Sequence, residues 1–307
     1  MHISVLLEES LEYLNIKEND IIVDCTLGYA GHSSRILKQL KKGQLYSFDQ
    51  DKDAINYSDK LLKEISSNYE IIYSNFSNIK EELNKRNVNK VDGILYDLGV
   101  SSPQLDTKER GFSFHQDAKL DMRMDQNQSL SAYEVVNNYS KEQLFRILKE
   151  YGEEKYASKI VQNIINKRPI ETTLQLAEII KNSVPFSYSR LKHPARKTFQ
   201  AIRIEVNDEI NNFKKSIEEA LELLNVGGRI CVITFHSLED KVCKEVFRKH
   251  TQVSAELKNM PIIPKEYQPK FKIVKVLEPK EEEVEENNRS RSAKLRVIER
   301  VSDWYAN

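Results

Sequence analysis

The chain has 307 residues, 39% hydrophobic and 31% charged, which is room to bury one large core or two moderate ones. No apolar run approaches the ~20 residues of a membrane span, and Met1-His2-Ile3-Ser4 has none of the regions of a signal peptide. Net charge is zero, so bulk electrostatics announce no nucleic-acid partner; three cysteines and six histidines without ligand spacing predict a cytoplasmic protein with no metal site.

The first hundred residues alternate strand and helix. Ile21–Asp24 reads as a short apolar strand that turns through Gly28–Ser33 into a helix carrying Ile36, Leu37 and Leu40. Leu45–Asp49, Glu70–Tyr73 and Val91–Tyr96 are the next strands, with helices between them through Ala54 and Leu62, and through Ile79 and Leu83. Strands separated by helices of this length mean βαβ units and a parallel sheet. After Asp106 the pattern becomes helical. Ser140–Gln143 resembles a capping box, Tyr156, Ile160 and Ile164 repeat at spacing four, and Thr172-Thr173 precede Leu176, Ile179 and Ile180. A single helix is expected through Val206, Ile210, Phe213, Ile217, Leu221 and Leu224, stopped by Gly227-Gly228. Arg229–Phe235 is then a fifth strand. Phe271–Val276 and Ala293–Ile298 alternate at period two and close the sheet as a pair, with the acidic run 281–286 between them read as a loop. The expected organisation is a discontinuous α/β domain, 1–106 and 208–307, interrupted by a helical insertion at 107–207.

In open α/β sheets ligands bind beyond the carboxyl ends of the strands. Three features fall there. A glycine-bearing turn, Gly28-Tyr29-Ala30-Gly31, leads into a helix N-terminus with free amide donors. Asp49 ends the second strand, where a carboxylate accepts hydrogen bonds from both hydroxyls of a ribose; alone it would read as a helix cap. Asp97 ends the fourth strand and opens the loop Leu98-Gly99-Val100-Ser101-Ser102-Pro103-Gln104. Phe76, at the exit of the third strand, suits an adenine face or the core. The spacing is not the Gly-x-Gly-x-x-Gly of dinucleotide-binding proteins, which disfavours a nicotinamide dehydrogenase.

The chain resembles the ribosomal RNA small subunit methyltransferase H family over nearly its full length. The resemblance rests on Gly-Tyr-Ala-Gly-His-Ser at 28–33, DGILYDLGVSSPQLD at 92–106, ERGFSF at 109–114, LDMRMD at 120–125, YGEE at 151–154, HPARKTFQAIRI at 193–204, FHSLEDK at 235–241 and KLRVIER at 294–300. It implies a Rossmann-like, seven-stranded methyltransferase sheet and transfer of a methyl group from S-adenosylmethionine to a cytidine N4 in the decoding region, near the P site, of 16S ribosomal RNA. It places cofactor contacts on Ala30, Gly31, His32, Asp49, Phe76, Asp97 and Gln104. Ala30 departs from the family's usual glycine, which is harmless at negative φ and costs about 1 kcal/mol or more at positive φ; tolerance is expected.

A cytosine amine is a weak nucleophile because its lone pair is conjugated into the ring, so the reaction needs in-line alignment and acceptors for the amine hydrogens. Asp97, Ser101 and Ser102 are the candidates for that work. C5 methylation would instead require a nucleophilic cysteine, and the loop contains none. For the RNA, Arg196, Lys197 and Arg203 lie in a stretch, 187–204, with five basic residues (Arg190 and Lys192 included) and no acidic one, and His236 closes the fifth strand. Phe199 is expected in the core, Arg110 and Arg123 read as structural or as pocket residues, and His115 and His236, taken singly, read as structural ahead of pocket-lining. The expected partners are the small ribosomal subunit and, as one option, a second copy of the chain. Two other readings stay open here: a methyltransferase for another amine on DNA or RNA, and an RNA-binding assembly factor without catalysis.

Overall fold

The computed structural model describes residues 4–189, 193–253, 257 and 262–303; Arg190 and Lys192 of the basic stretch lie outside them. The chain divides into two compact units, 1–99 with 210–307 and 100–209.

The first unit is a seven-stranded sheet flanked by helices. Its strands are β1 (Ile21–Asp24), β2 (Gln44–Asp49), β3 (Tyr69–Tyr73), β4 (Val91–Asp97), β5 (Leu224–Thr234), β6 (Phe271–Leu277) and β7 (Lys294–Arg300), in the order β3-β2-β1-β4-β5-β7-β6. The first five pair in parallel. β7 runs antiparallel between β5 and β6. Both faces are covered, as a parallel sheet requires, and alternate residues sort to opposite cores. Val23, Ile94, Tyr96 and Val232 pack on one side with Phe213, Ile217 and Phe247 from helices Glu209–Leu223 and Ser237–Thr251. Ile22, Leu95, Cys231 and Ile233 pack on the other with Leu11, Ile36 and Leu62 from helices Leu7–Leu14, Gly31–Leu37 and Lys52–Lys63. At ~1.5–3 kcal/mol for each fully buried large aliphatic side chain, these two layers hold the strand ends in register.

The second unit is a bundle of short helices around its own core, including Val135, Leu144, Ile160, Ile180, Phe199 and Ile202. The capping box at Ser140 and Gln143 is present, and Ser131 and Thr172 make two more.

Four sequence expectations are corrected. The stripe Val206–Leu224 is not one helix: Ala195–Asn207 ends on Asp208 at φ 47°, and a new helix begins at Glu209. Gly227 and Gly228 lie inside β5 rather than stopping a helix, and Gly227 takes φ +84° there. The acidic run forms a helix, Glu281–Glu286, whose first turn gathers three glutamates at the positive end of the helix dipole; Glu283 Oε1 also accepts from the Leu6 N–H at 2.7 Å. The Ser-Ser-Pro-Gln segment is a helix start, because Ser101 and Gln104 cap Ser102–Asp106 reciprocally with Pro103 in the first turn.

Candidate active site at the carboxyl ends of the strands

β1, β2 and β4 each end in an aspartate, and the three carboxyls organise the crevice beyond the sheet. Asp24 is fully buried. Its Oδ1 accepts from the Thr26 N–H and hydroxyl at 3.0 and 3.3 Å, and its Oδ2 from the Ser33 hydroxyl at 2.6 Å. Thr26 in turn accepts the Asp97 N–H on Oγ1 at 2.7 Å, so the first turn and the β4 exit are tied together. Burial raises the Asp24 carboxyl above its ordinary range despite these donors.

Asp49 holds the glycine turn. Its Oδ2 accepts from the Gly28 N–H and its Oδ1 from the Asp51 N–H, both at 2.8 Å, while Ser58 Oγ donates to the Gly28 carbonyl at 2.8 Å. Burial pushes the Asp49 carboxyl up to about 7, against the pull of these amides. Next to it, Gln50 Oε1 accepts from Asn75 Nδ2 at 2.9 Å, which brings the β3 exit alongside β2. Phe76 follows Asn75 and packs edge-on to Tyr96 at 5.8 Å between centroids. It is half-buried and packs against the core of the first unit.

Ala30 is fully buried at φ 59°, as the N-cap of Gly31–Leu37. Of the two cases the positive-φ one holds, and the fold tolerates it at a cost: an L-residue in the left-handed region costs roughly 1–2 kcal/mol. Gly31 is required for a different reason. A Cβ there would come 1.8 Å from Ser4 Oγ, so the N-terminal segment lies against this turn.

Asp97 is the most perturbed of the three. Its Oδ2 lies 3.5 Å from Nδ1 of the buried His32. Its Oδ1 is buried without a hydrogen-bond partner among the described residues. Burial, then the Asp24 and Glu239 carboxylates, pushes the Asp97 carboxyl well above the usual carboxylate range. Glu239 is buried at the start of Ser237–Thr251, where its Oε2 accepts from the Phe235 N–H at 2.7 Å. His236 is the N-cap of that helix, with Nε2 3.0 Å from Glu239 Oε1. Gly99, at φ +102°, turns the chain away from β4 with Phe235 3.5 Å from where a Cβ would sit.

The first unit thus gathers Ala30, Gly31, His32, Asp49, Phe76, Asp97 and His236 on turns at the strand exits. Ser101, Ser102 and Gln104 belong to the second unit. There Ser101 Oγ accepts from the Gln104 N–H at 3.3 Å, Gln104 Oε1 accepts from the Ser101 N–H at 3.0 Å, and the glutamine is buried. The basic residues of that unit divide. Arg203 grips both oxygens of Glu209 at 2.8 Å, and Lys197 Nζ donates to the Glu153 carbonyl at 2.8 Å. Arg196 is exposed and makes no ion pair among the described residues. Arg110 donates to the Arg123 and Met124 carbonyls, and Arg123 clamps Asp121, so both are structural. Phe199 is core, as expected.

Thr26, Asp24 and Glu239 escaped the sequence reading. The signal for Asp24 was present: Ile-Val-Asp, Ser-Phe-Asp and Leu-Tyr-Asp each end an apolar run in an aspartate. Glu239 had none, since its role depends on the fold bringing a helix start beside β4.

A carboxyl oxygen buried without a partner, beside two further acids, suits a cation, and a carboxylate anchored at a glycine turn suits ribose hydroxyls. Both demands are met by a nucleoside bearing an amino-acid ammonium, so these residues fit S-adenosylmethionine. Strand order and site together define a Rossmann-like methyltransferase fold. The chain matches the MraW methylase family over residues 1–301, and it belongs to that family. It is 52% identical to the ribosomal RNA small subunit methyltransferase H of Exiguobacterium sibiricum, over 98% of this chain and 99% of that protein. Among solved structures it is similar to an rRNA methylase from Streptococcus thermophilus, at 13% identity and a TM-score of 0.44, over 96% of this chain and 93% of that one. It is likewise similar to NSun6 from Pyrococcus horikoshii, solved with SFG, at 13% identity and a TM-score of 0.44, over 99% of this chain and 53% of that one.

Proposed function

We propose that this protein transfers a methyl group from S-adenosylmethionine to 16S ribosomal RNA, at a cytidine N4 in the decoding region near the P site. Membership of a methylase family together with the partnerless Asp97 carboxyl oxygen carries the reading. When bound, the cofactor supplies a methyl group already activated on a sulfonium.

The chain's own residues bind and orient. Asp49, once ionised, accepts from the ribose hydroxyls while the Gly28 and Asp51 amides fix its plane. Asp97 accepts from the ammonium of the amino-acid end; a cation there relieves the repulsion from Asp24 and Glu239 and draws the carboxyl down towards its ordinary range. His32 steadies the second Asp97 oxygen. Phe76 offers an aromatic wall for the base. Ser101, Ser102 and Gln104 are assigned to amine and cofactor contacts, and Arg196, Lys197 and Arg203 to the RNA, with Arg196 the most available of the three.

The amine as acceptor is supported by the cysteines. Methylation at C5 of a pyrimidine needs a thiolate. Cys25, Cys231 and Cys243 are all buried in the sheet's cores, and burial raises each thiol far above the range where it ionises near neutrality. No thiol of this chain is placed for that attack.

The test is transfer of labelled methyl from S-adenosylmethionine to small subunits lacking the modification, followed by nucleoside digestion. Labelled N4-methylcytidine is expected. Label in another nucleoside would move the reading to a different amine, and cofactor binding without transfer to any RNA would favour a non-catalytic assembly factor.

A further inference from the structure

The second unit carries a cluster of rings at the margin of its core. Phe114 stands half-buried, edge-on to the core residue Phe199 at 5.4 Å and 82°. His193 lies nearly parallel to Phe114, with centroids 4.4 Å apart and 15° between planes. His115 leans on the same ring at 4.5 Å and on His193 at 5.3 Å. Both imidazoles are exposed.

Among the described residues, the other histidines each face a carboxylate: His32 faces Asp97, His236 faces Glu239 and His250 faces Glu218. His115 and His193 face rings instead. A stacked imidazole is most useful uncharged. Burial, then the neighbouring His115 and Lys181, holds His193 below its ordinary range. At neutral pH it therefore presents a flat, uncharged ring, backed through Phe114 by the core. The Arg196 N–H donates to the His193 carbonyl at 3.2 Å, which fixes the ring residue against the first turn of Ala195–Asn207. The Arg196 guanidinium leaves that same turn into solvent.

We propose that Phe114, His115 and His193 form a stacking platform for an unpaired base of single-stranded RNA, with Arg196 serving the adjoining phosphate. Flat rings supported from behind and a cation one step away are what unstacked bases require. A duplex buries its base faces and offers the platform nothing. The inference deepens the ribosomal RNA reading and rests on it.

The experiment is fluorescence anisotropy of the full chain with an end-labelled, mixed-sequence single-stranded RNA dodecamer, beside calorimetry with S-adenosylhomocysteine. Stacking one base on a ring is worth roughly five- to a hundred-fold in affinity. His193→Ala is expected to weaken RNA binding about ten-fold, and His193→Phe, which keeps the flat ring, to stay within about two-fold of the parent. S-adenosylhomocysteine affinity should be the same in all three, which also checks folding; His115→Ala, with a smaller expected loss, substitutes if His193→Ala folds poorly. Parent-like RNA binding by the alanine variants overturns the platform and leaves the methyltransferase reading intact. A phenylalanine variant as weak as alanine overturns stacking in favour of a hydrogen-bonding histidine. Equal affinity for duplex RNA of the same length overturns the unpaired base. A parent protein that binds the cofactor product but no RNA overturns the platform, and labelled transfer to small subunits then decides separately whether the wider reading survives.

Discussion

The two units handle charge in opposite ways. In the helical unit the buried or half-buried arginines are satisfied locally: Arg123 by Asp121, Arg203 by Glu209, and Arg110 by two carbonyls. In the sheet unit, Asp24 and Glu239 are gathered close enough to Asp97 to raise its carboxyl, and among the described residues the cation-forming side chain that meets Asp97 is a buried histidine at 3.5 Å. Paired charges of the first kind fix loops and helix ends. Like charges held together cost the fold free energy, and they persist where a ligand of opposite charge completes them.

Asp97→Asn should break the contrast most strongly. It removes the charge and keeps the shape, so S-adenosylhomocysteine affinity and turnover should each fall about 100-fold, on the scale of a charge-assisted contact worth ~2–3 kcal/mol. The same variant should melt higher than the parent at pH 8, because a buried acid that ionises reluctantly has been removed. A variant that binds the cofactor product normally would end the ammonium assignment.

Asp49→Asn should cost about ten-fold in the same affinity and also change its pH dependence. Asp49 titrates at about 7 in the folded chain, above the ordinary value of roughly 4. Its protonated form is therefore favoured by folding: the free protein loses that stability as pH rises from about 4 through 7. Ribose hydroxyls prefer the ionised acceptor, so cofactor affinity should rise with pH through about 7 and then level. The asparagine variant should show no such step in a titration by calorimetry; a step that survives belongs to another group.

Arg203→Ala sharpens the other side of the comparison. It leaves Glu209 without its bidentate partner, and should lower stability by about 1–3 kcal/mol, read as an earlier unfolding transition, with cofactor affinity unmoved. The smallest effect is expected at Ala30→Gly. Releasing the left-handed strain gains ~1–2 kcal/mol and the freer unfolded chain takes back ~0.4–1, so a rise in melting temperature of a few degrees or less should accompany unchanged affinity. A fall would show that the alanine methyl contributes more by packing than its backbone costs.

The parallel strands were legible because each holds a short apolar run bounded by polar residues, the last two because they alternate at period two, and the tip acids Asp49 and Asp97 because each closes an apolar run. Residue type alone hid the rest. An alanine reads as a good helix former, and nothing in its identity says that Ala30 sits at φ 59°. Asp208 looks like one more polar position on a helical stripe, yet it breaks the helix in the left-handed region. Six residues with five glutamates read as a repelling loop, but the helix dipole and the Leu6 amide on Glu283 stabilise the helix from outside the segment. The ring cluster joins residues nearly eighty positions apart in sequence, which no local pattern reveals.

β4 ends at Asp97 and its parallel partner β5 begins at Leu224. On a growing chain the middle of the sheet therefore stays open until the whole helical unit has been made, an interval on the order of ten seconds at ribosomal speed. Loop-closure entropy rises only slowly with length, so the finished protein bears little thermodynamic cost for the interruption. The cost is kinetic: β4 waits as an apolar edge, exposed to pairing with other chains. The helical unit, held by local contacts and capped helix starts, can fold first and shorten the effective gap. Expression yield should then depend on how quickly that unit folds, and slowing it would favour aggregation of the nascent chain before its active site can exist.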